Sequence, residues 1–248
     1  MSGGATVRLV WALAQESLTG SADLIRRHWP YYLLLALVVV ALMLTVDRPL
    51  ALWLYGLPAA DKAFFAAINE VGRSGWMFAA AAVVLIAGLV LHRRGLVLRG
   101  AYVIGAIAMG GWAINVVKVV AARARPRLLV GDGTYGFQGF AIDADWNSFP
   151  SGHSQAIAGL AGALSCIWPR FAPLFLALAV LPAVARAVML NHFASDVLAG
   201  YAAGLTVAIA LARAMTARGL VVRHFETDGN YPSQKVGPPG PRMKREIR

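Results

Sequence analysis

Six long apolar runs, at about 29–46, 76–91, 100–118, 154–168, 171–190 and 194–212, restrict what this chain can fold into more than any other feature. A soluble amphipathic helix keeps one polar face, whereas runs of about 15–20 residues nearly free of charge suit a bilayer. In lipid every backbone N–H and C=O must be satisfied inside the protein, which makes such runs helices. Composition agrees, with 58% hydrophobic and 14% charged residues. The lone cysteine, Cys166, lies in an apolar run. It excludes an internal disulfide or multi-thiolate metal site and reads as a small core hydrophobe. The expected fold is all-α: a polytopic membrane protein built as a six-transmembrane helix bundle, with an N-terminal interfacial amphipathic helix.

Three divisions of the chain follow. Residues 1–28 place Val7, Val10, Trp11, Ala14, Leu18 and Ile25 on one stripe, with Arg8, Glu16 and Arg26 elsewhere. That spacing predicts a helix lying in the membrane interface and not a cleaved signal peptide. Residues 29–213 form the six-span core. Residues 214–248 are expected to be a basic, disordered cytoplasmic tail. The net charge of +11 fits topology and anionic lipid better than nucleic acid, because no basic stretch interleaves with aromatics. Six spans put fifteen of the 23 Lys and Arg on the face that carries both termini. The positive-inside rule then places the termini in the cytoplasm and the opposite face in the periplasm of a bacterial inner membrane.

On that opposite face, polar residues gather at three span ends. Lys118 and Arg125-Pro126 follow the third span, Pro150-Ser151-Gly152-His153 opens the fourth, and Arg186, His192 and Asp196 bracket the turn between the fifth and sixth. Lys118, Arg125 and Arg186 are fixed cations suited to the oxygens of a phosphate. Ser151 and Gly152 lead into a helix whose first N–H groups also favour an anion. His192 and Asp196 are four residues apart and share a helical face, so the carboxylate can take the Nδ1 proton and leave Nε2 as a nucleophile. His153 can protonate a leaving oxygen and later activate water. This chemistry requires no metal and no cofactor.

These residues resemble the type 2 phosphatidic acid phosphatase superfamily, whose signature is K-x6-R-P, P-S-G-H and S-R-x5-H-x3-D. Ten of its eleven specified positions match in order between residues 118 and 196. The resemblance implies a helical bundle with its site at the membrane surface, His192 as nucleophile, Asp196 as its orienter and His153 as acid. It also implies that Lys118, Arg125, Ser151, Gly152 and Arg186 surround phosphate. The departure is Ala185, where the family usually has serine, and Ser148 or Asn147 are the expected substitutes. The implied partner is a phosphorylated lipid: undecaprenyl diphosphate, phosphatidylglycerol phosphate, phosphatidic acid or lipid A. No nucleic acid and no obligate protein partner are implied. The alternatives are a lipid-to-lipid phosphotransferase using the same site, or a non-catalytic lipid-binding membrane protein.

Other polar residues have plainer readings. Arg123 and Arg127 are expected to be solvated loop charges. Asp132, Asp143 and Asp145 fit no calcium loop and suggest a polar lid over 127–149. His28, His92 and His224 read as interfacial. Trp29, Tyr31, Trp53, Trp76 and Trp168 read as headgroup-level anchors. Gly105, Gly110, Gly111, Gly159 and Gly162 are expected at close helix approaches.

Overall fold

The computed structural model describes residues 3–220, and these are mostly helical, with a single isolated β-bridge between Arg123 and Phe137. Ten α-helices follow one another among the described residues: α1 Gly3–Arg27, α2 Trp29–Thr45, α3 Asp47–Tyr55, α4 Ala59–Val71, α5 Ser74–Val90, α6 Arg94–Ala121, α7 Pro126–Asp132, α8 Gly152–Ile167, α9 Ala172–Val188 and α10 Ala194–Ala217. Helices α2, α5, α6, α8, α9 and α10 occupy the six apolar runs. Four helical segments are long and apolar enough to cross a bilayer, or five if α1 and α2, bent by 88°, make one broken span. The six-span count therefore rests on the sequence alone. Helix α8 falls short because its 16 residues extend only about 24 Å, against a hydrocarbon core of about 30 Å.

That short helix is the centre of the bundle. Its small residues Ala156, Ala158, Gly159, Ala161, Gly162 and Ala163 are all buried. Helix α10 packs on it at backbone distance. A Cβ on Gly200 would lie 2.3 Å from the Ser151 carbonyl oxygen, and one on Gly204 would lie 2.2 Å from that of Gln155. Only glycine permits this approach, which sets the start of α10 against the start of α8. The glycines singled out in α6 and α8 also sit at close contacts, Gly105 against Leu211 and Gly162 against Ala208.

The N-terminal helix forms as expected, and Val7, Val10 and Trp11 point away from the protein. It is tied to α10 by Glu16, which accepts two hydrogen bonds from Arg218 at 2.7 and 2.6 Å. Two expectations need correction. Residues 214–217 complete α10 and do not begin a tail, because Ala214 and Met215 are buried in the core. Residues 218–220 follow as a short turn, and the remainder of the expected tail, 221–248 with His224, lies outside the described residues. The lid is also less polar than expected: Phe137, Phe140 and Ile142 are exposed on it. It folds back on the segment after α6, where Ala124 N–H donates to Gly136, Gln138 N–H to Ala122 and Ser148 N–H to Arg123.

Candidate active site

Two loops meet at the end of the bundle where α6 and α9 finish and α8 and α10 begin. One loop runs up to Ser151 and the other is the turn 189–193. Asp196, in the first turn of α10, joins them. Its carboxylate accepts from Phe193 N–H at 2.8 Å, Ser148 Oγ at 2.5 Å and an Arg123 guanidinium nitrogen at 2.5 Å. Its own carbonyl accepts the Ser151 N–H at 3.0 Å. Residues remote in the chain are thereby fixed to one carboxylate.

His192 is 3% exposed, and its Nδ1 lies 2.8 Å from the Ser148 carbonyl oxygen. A carbonyl only accepts, so Nδ1 carries the proton and Nε2 keeps its lone pair. Asp196 stands 3.9 Å from Nδ1, beyond hydrogen-bond range. The carboxylate acts one step removed: it takes the Ser148 hydroxyl, and the Ser148 carbonyl orients the imidazole. Burial, followed by the fields of Lys118, Arg125 and Arg186, holds His192 well below the usual imidazole range, against the opposing Ser148 bond. A neutral, oriented imidazole results.

Lys118, Arg125 and Arg186 lie within electrostatic reach of both His192 and His153. Each is held by neutral oxygens. Lys118 Nζ donates to the Asn147 carbonyl at 2.8 Å, and Arg125 Nε donates to that of Ala144 at 2.7 Å. Arg186 Nη1 donates to Asn69 Oδ1 at 2.5 Å, while its Nε is buried without a hydrogen-bond partner. Cations fixed by neutral groups keep their charge for an incoming anion. Lys118 also lies across the start of α8, its Cε 3.8 Å from where a Gly152 Cβ would be. The N–H groups of Gly152 and His153 meet no acceptor among the described residues, as is usual for first-turn donors. His153 is half-buried on that first turn and faces the same cations.

The structure thus gathers His192, His153, Asp196, Lys118, Arg125, Gly152 and Arg186 at one end of the bundle. Ser151 is there too, but differently employed. Fully buried, it caps α8, its Oγ accepting from Ser154 N–H at 3.3 Å and Ser154 Oγ at 2.9 Å. Ser148, a suggested substitute for the serine absent at Ala185, gives its hydroxyl to Asp196.

Arg123 is not a solvated charge. It is wholly buried between Asp47 and Asp196, with bonds of 2.8 and 2.5 Å, and lies over the rings of Phe193, Phe137 and Tyr135. Asp47 also accepts from the Ser195 N–H and hydroxyl. Sequence reasoning missed Asp47 and Asn69. An acid closing the apolar run before α3 was a signal for Asp47; Asn69 gave none. Arg127 is exposed as expected and pairs with Asp145, and Asp143 accepts from Asp145 N–H in a local turn. Among the described residues no three His, Cys, Asp or Glu side chains form a group able to hold a metal ion.

Comparison with known proteins gives four findings. A family model described as the PAP2 superfamily matches residues 99–220. A protein of Rhizobium etli named lipid A 1-phosphatase is 29% identical over 202 residues, covering 75% of this chain and 86% of the relative. A lipid A 1-phosphatase of Rhizobium johnstonii is 34% identical over 118 residues, covering 46% of this chain and 48% of the relative. Among solved structures, a transmembrane PAP2-type phosphatidylglycerolphosphate phosphatase from Bacillus subtilis superposes with a TM-score of 0.56 at 20% identity, over 75% of this chain and 94% of that one. At that identity the likeness concerns the fold.

Proposed function

We propose that this chain, matched by the PAP2 superfamily model over residues 99–220, is a membrane lipid phosphatase of that family and removes the 1-phosphate of lipid A through a phosphohistidine on His192, without a metal ion. The observation that carries the chemistry is a neutral, carbonyl-oriented imidazole beside three cations held only by neutral oxygens. The substrate assignment rests on the two relatives named for that reaction.

In this reading Lys118, Arg125, Arg186 and the first-turn N–H groups of α8 grip the non-bridging oxygens. Nε2 of His192 attacks phosphorus, and the bond from phosphorus to the sugar oxygen breaks. His153, protonated once the bound phosphate offsets the cations around it, delivers that proton to the oxygen, so the lipid leaves as an alcohol. Water then attacks the phosphohistidine, His153 removes its proton, and inorganic phosphate departs as His192 is regenerated. The cations neutralise the charge spread over the equatorial oxygens, the electrostatic role phosphoryl transfer needs most. The same cations repel a divalent metal, and the buried carboxylates Asp47 and Asp196 are engaged by Arg123. In this reading the site faces the periplasm of a bacterial inner membrane and meets lipid A in the outer leaflet; the positive-inside count over six spans supports that side.

The test is phosphate release from lipid A, phosphatidylglycerol phosphate, undecaprenyl diphosphate and phosphatidic acid, with excess chelator, by the wild type and His192→Ala. Lipid A should be hydrolysed fastest and the variant should be inactive, a loss of 10⁴-fold or about 5.5 kcal/mol at least. Near-normal turnover by His192→Ala overturns the nucleophile. Faster hydrolysis of another lipid overturns the substrate, and loss of activity to chelator overturns metal independence.

A further inference from the structure

Arg186 presents an unusual combination. It is only 7% exposed, one terminal nitrogen donates to Asn69 Oδ1 at 2.5 Å, and its Nε has no hydrogen-bond partner among the described residues. Buried guanidinium donors are ordinarily satisfied. Arg123 Nε is unpaired as well, but Arg123 is closed in between two carboxylates. Arg186 instead stands beside His153, His192 and two further cations and bonds to no carboxylate among the described residues, which leaves it open to an anion. The partner that is present comes from the other half of the chain. Asn69 lies on α4, 117 residues before Arg186 and outside the matched residues 99–220.

Resting on the phosphate cradle proposed above, we infer that Asn69 is a positioning residue that aims Arg186 at the bound phosphate. Its amide oxygen holds the Nη1 corner of the planar guanidinium. A planar group held at one corner and at its stem has a fixed orientation, and here that orientation leaves the Nε edge without an acceptor. A phosphate oxygen supplies it. The choice of an amide matters. A carboxylate in the same place would hold the guanidinium as firmly but would cancel the charge that phosphate must feel. The neighbouring acid is kept from doing so, because Glu70 is bonded to Arg73 at 2.9 Å on the exposed side of the turn.

The turn that carries Asn69 is anchored to the helices of the site. A Cβ on Gly72 would lie 3.1 Å from Pro182 Cβ on α9 and 3.3 Å from Ile157 Cδ1 on α8. The α4–α5 connection is therefore pressed against both the helix that bears Arg186 and the one that begins with Gly152 and His153. Arg73, at the end of this turn, comes within electrostatic reach of His153. Segments upstream of the family match thus complete the site and do more than anchor it.

The experiment uses the full chain in detergent and compares wild type, Asn69→Ala, Asn69→Asp, Arg186→Ala and the Asn69→Ala/Arg186→Ala double variant. The readouts are KM and kcat for the hydrolysed lipid, the Ki of inorganic phosphate as product inhibitor, and the thermal melting midpoint. Asn69→Ala should raise the phosphate Ki and the KM about tenfold with a smaller change in kcat, as expected for a lost aimed contact. Asn69→Asp, which keeps the acceptor but neutralises the cation, should raise Ki at least as much without lowering the melting midpoint. In the Arg186→Ala background, Asn69→Ala should change Ki no further. An unchanged Ki in Asn69→Ala, a wild-type Ki in Asn69→Asp, or an equal effect of Asn69→Ala with and without Arg186 would each overturn the inference. A wild-type protein that hydrolyses no lipid and is blind to phosphate would instead overturn the reading beneath it.

Discussion

A peptide carbonyl cannot change its protonation, and that gives the Ser148–His192 contact its consequence. The tautomer of the proposed nucleophile is fixed by backbone, while burial and three cations keep the ring neutral. A depressed imidazole stays neutral as pH falls through the ordinary range near 6.5. The ring of His192 should therefore show its neutral, Nδ1-protonated ¹⁵N signature well below pH 6.5, and a midpoint at or above that value would contradict the geometry. Arg123 supplies the second prediction at this scale. Replacing a solvated loop arginine alters stability by about 0.5 kcal/mol or less, whereas removing a cation from between two buried carboxylates costs about 3–5 kcal/mol. Arg123→Ala should melt far below the wild type or fail to accumulate folded. A variant with wild-type melting would remove Arg123 from the core of the site.

Helices α8 and α10 show how an element of small residues sets a catalytic distance. Their contact at Gly200 and Gly204 brings the Ser151 N–H onto the Asp196 carbonyl, so helix packing and site assembly are the same event. Gly204→Ala should destabilise the protein by about 1–3 kcal/mol through overpacking, despite the better helix propensity of alanine. Gly75→Ala, where a new Cβ meets nothing within 4 Å, should be neutral or stabilising in the same melting assay. Equal effects of the two changes would show that the close approach is unimportant. The brevity of α8 belongs here as well. A helix enclosed by its neighbours need not match the full hydrocarbon thickness, because protein and not lipid covers its ends.

Over the whole molecule, all cations of the site lie at one end of the bundle, while His92, Arg93 and Arg94 lie between α5 and α6 at the other. The single native cysteine makes sidedness easy to measure. In a Cys166→Ala background, Gln138→Cys on the exposed loop over the site should react with a membrane-impermeant maleimide in intact spheroplasts, and Gly95→Cys should react only after lysis. The reverse pattern would turn the enzyme over and place its substrate in the inner leaflet. How much of this arrangement was legible beforehand follows the range of each interaction. Apolar runs and the His192–Asp196 spacing act along one segment, so the helices and the candidate residues could be read directly. The burial of Arg123 joins it to partners 76 and 73 residues away, and Asn69 meets Arg186 across 117 residues, which no local pattern records. Sequence alone determined that this chain forms apolar helices with cations, histidines and an acid at their ends, because hydrophobicity and residue chemistry are properties of the residues themselves. Only the tertiary structure decided that the Ser148 carbonyl and not Asp196 meets His192 Nδ1, that Ser151 caps a helix and that Asn69 Oδ1 meets Arg186. Hydrogen bonds are directional and saturable, and which donor meets which acceptor is settled only when the helices have packed.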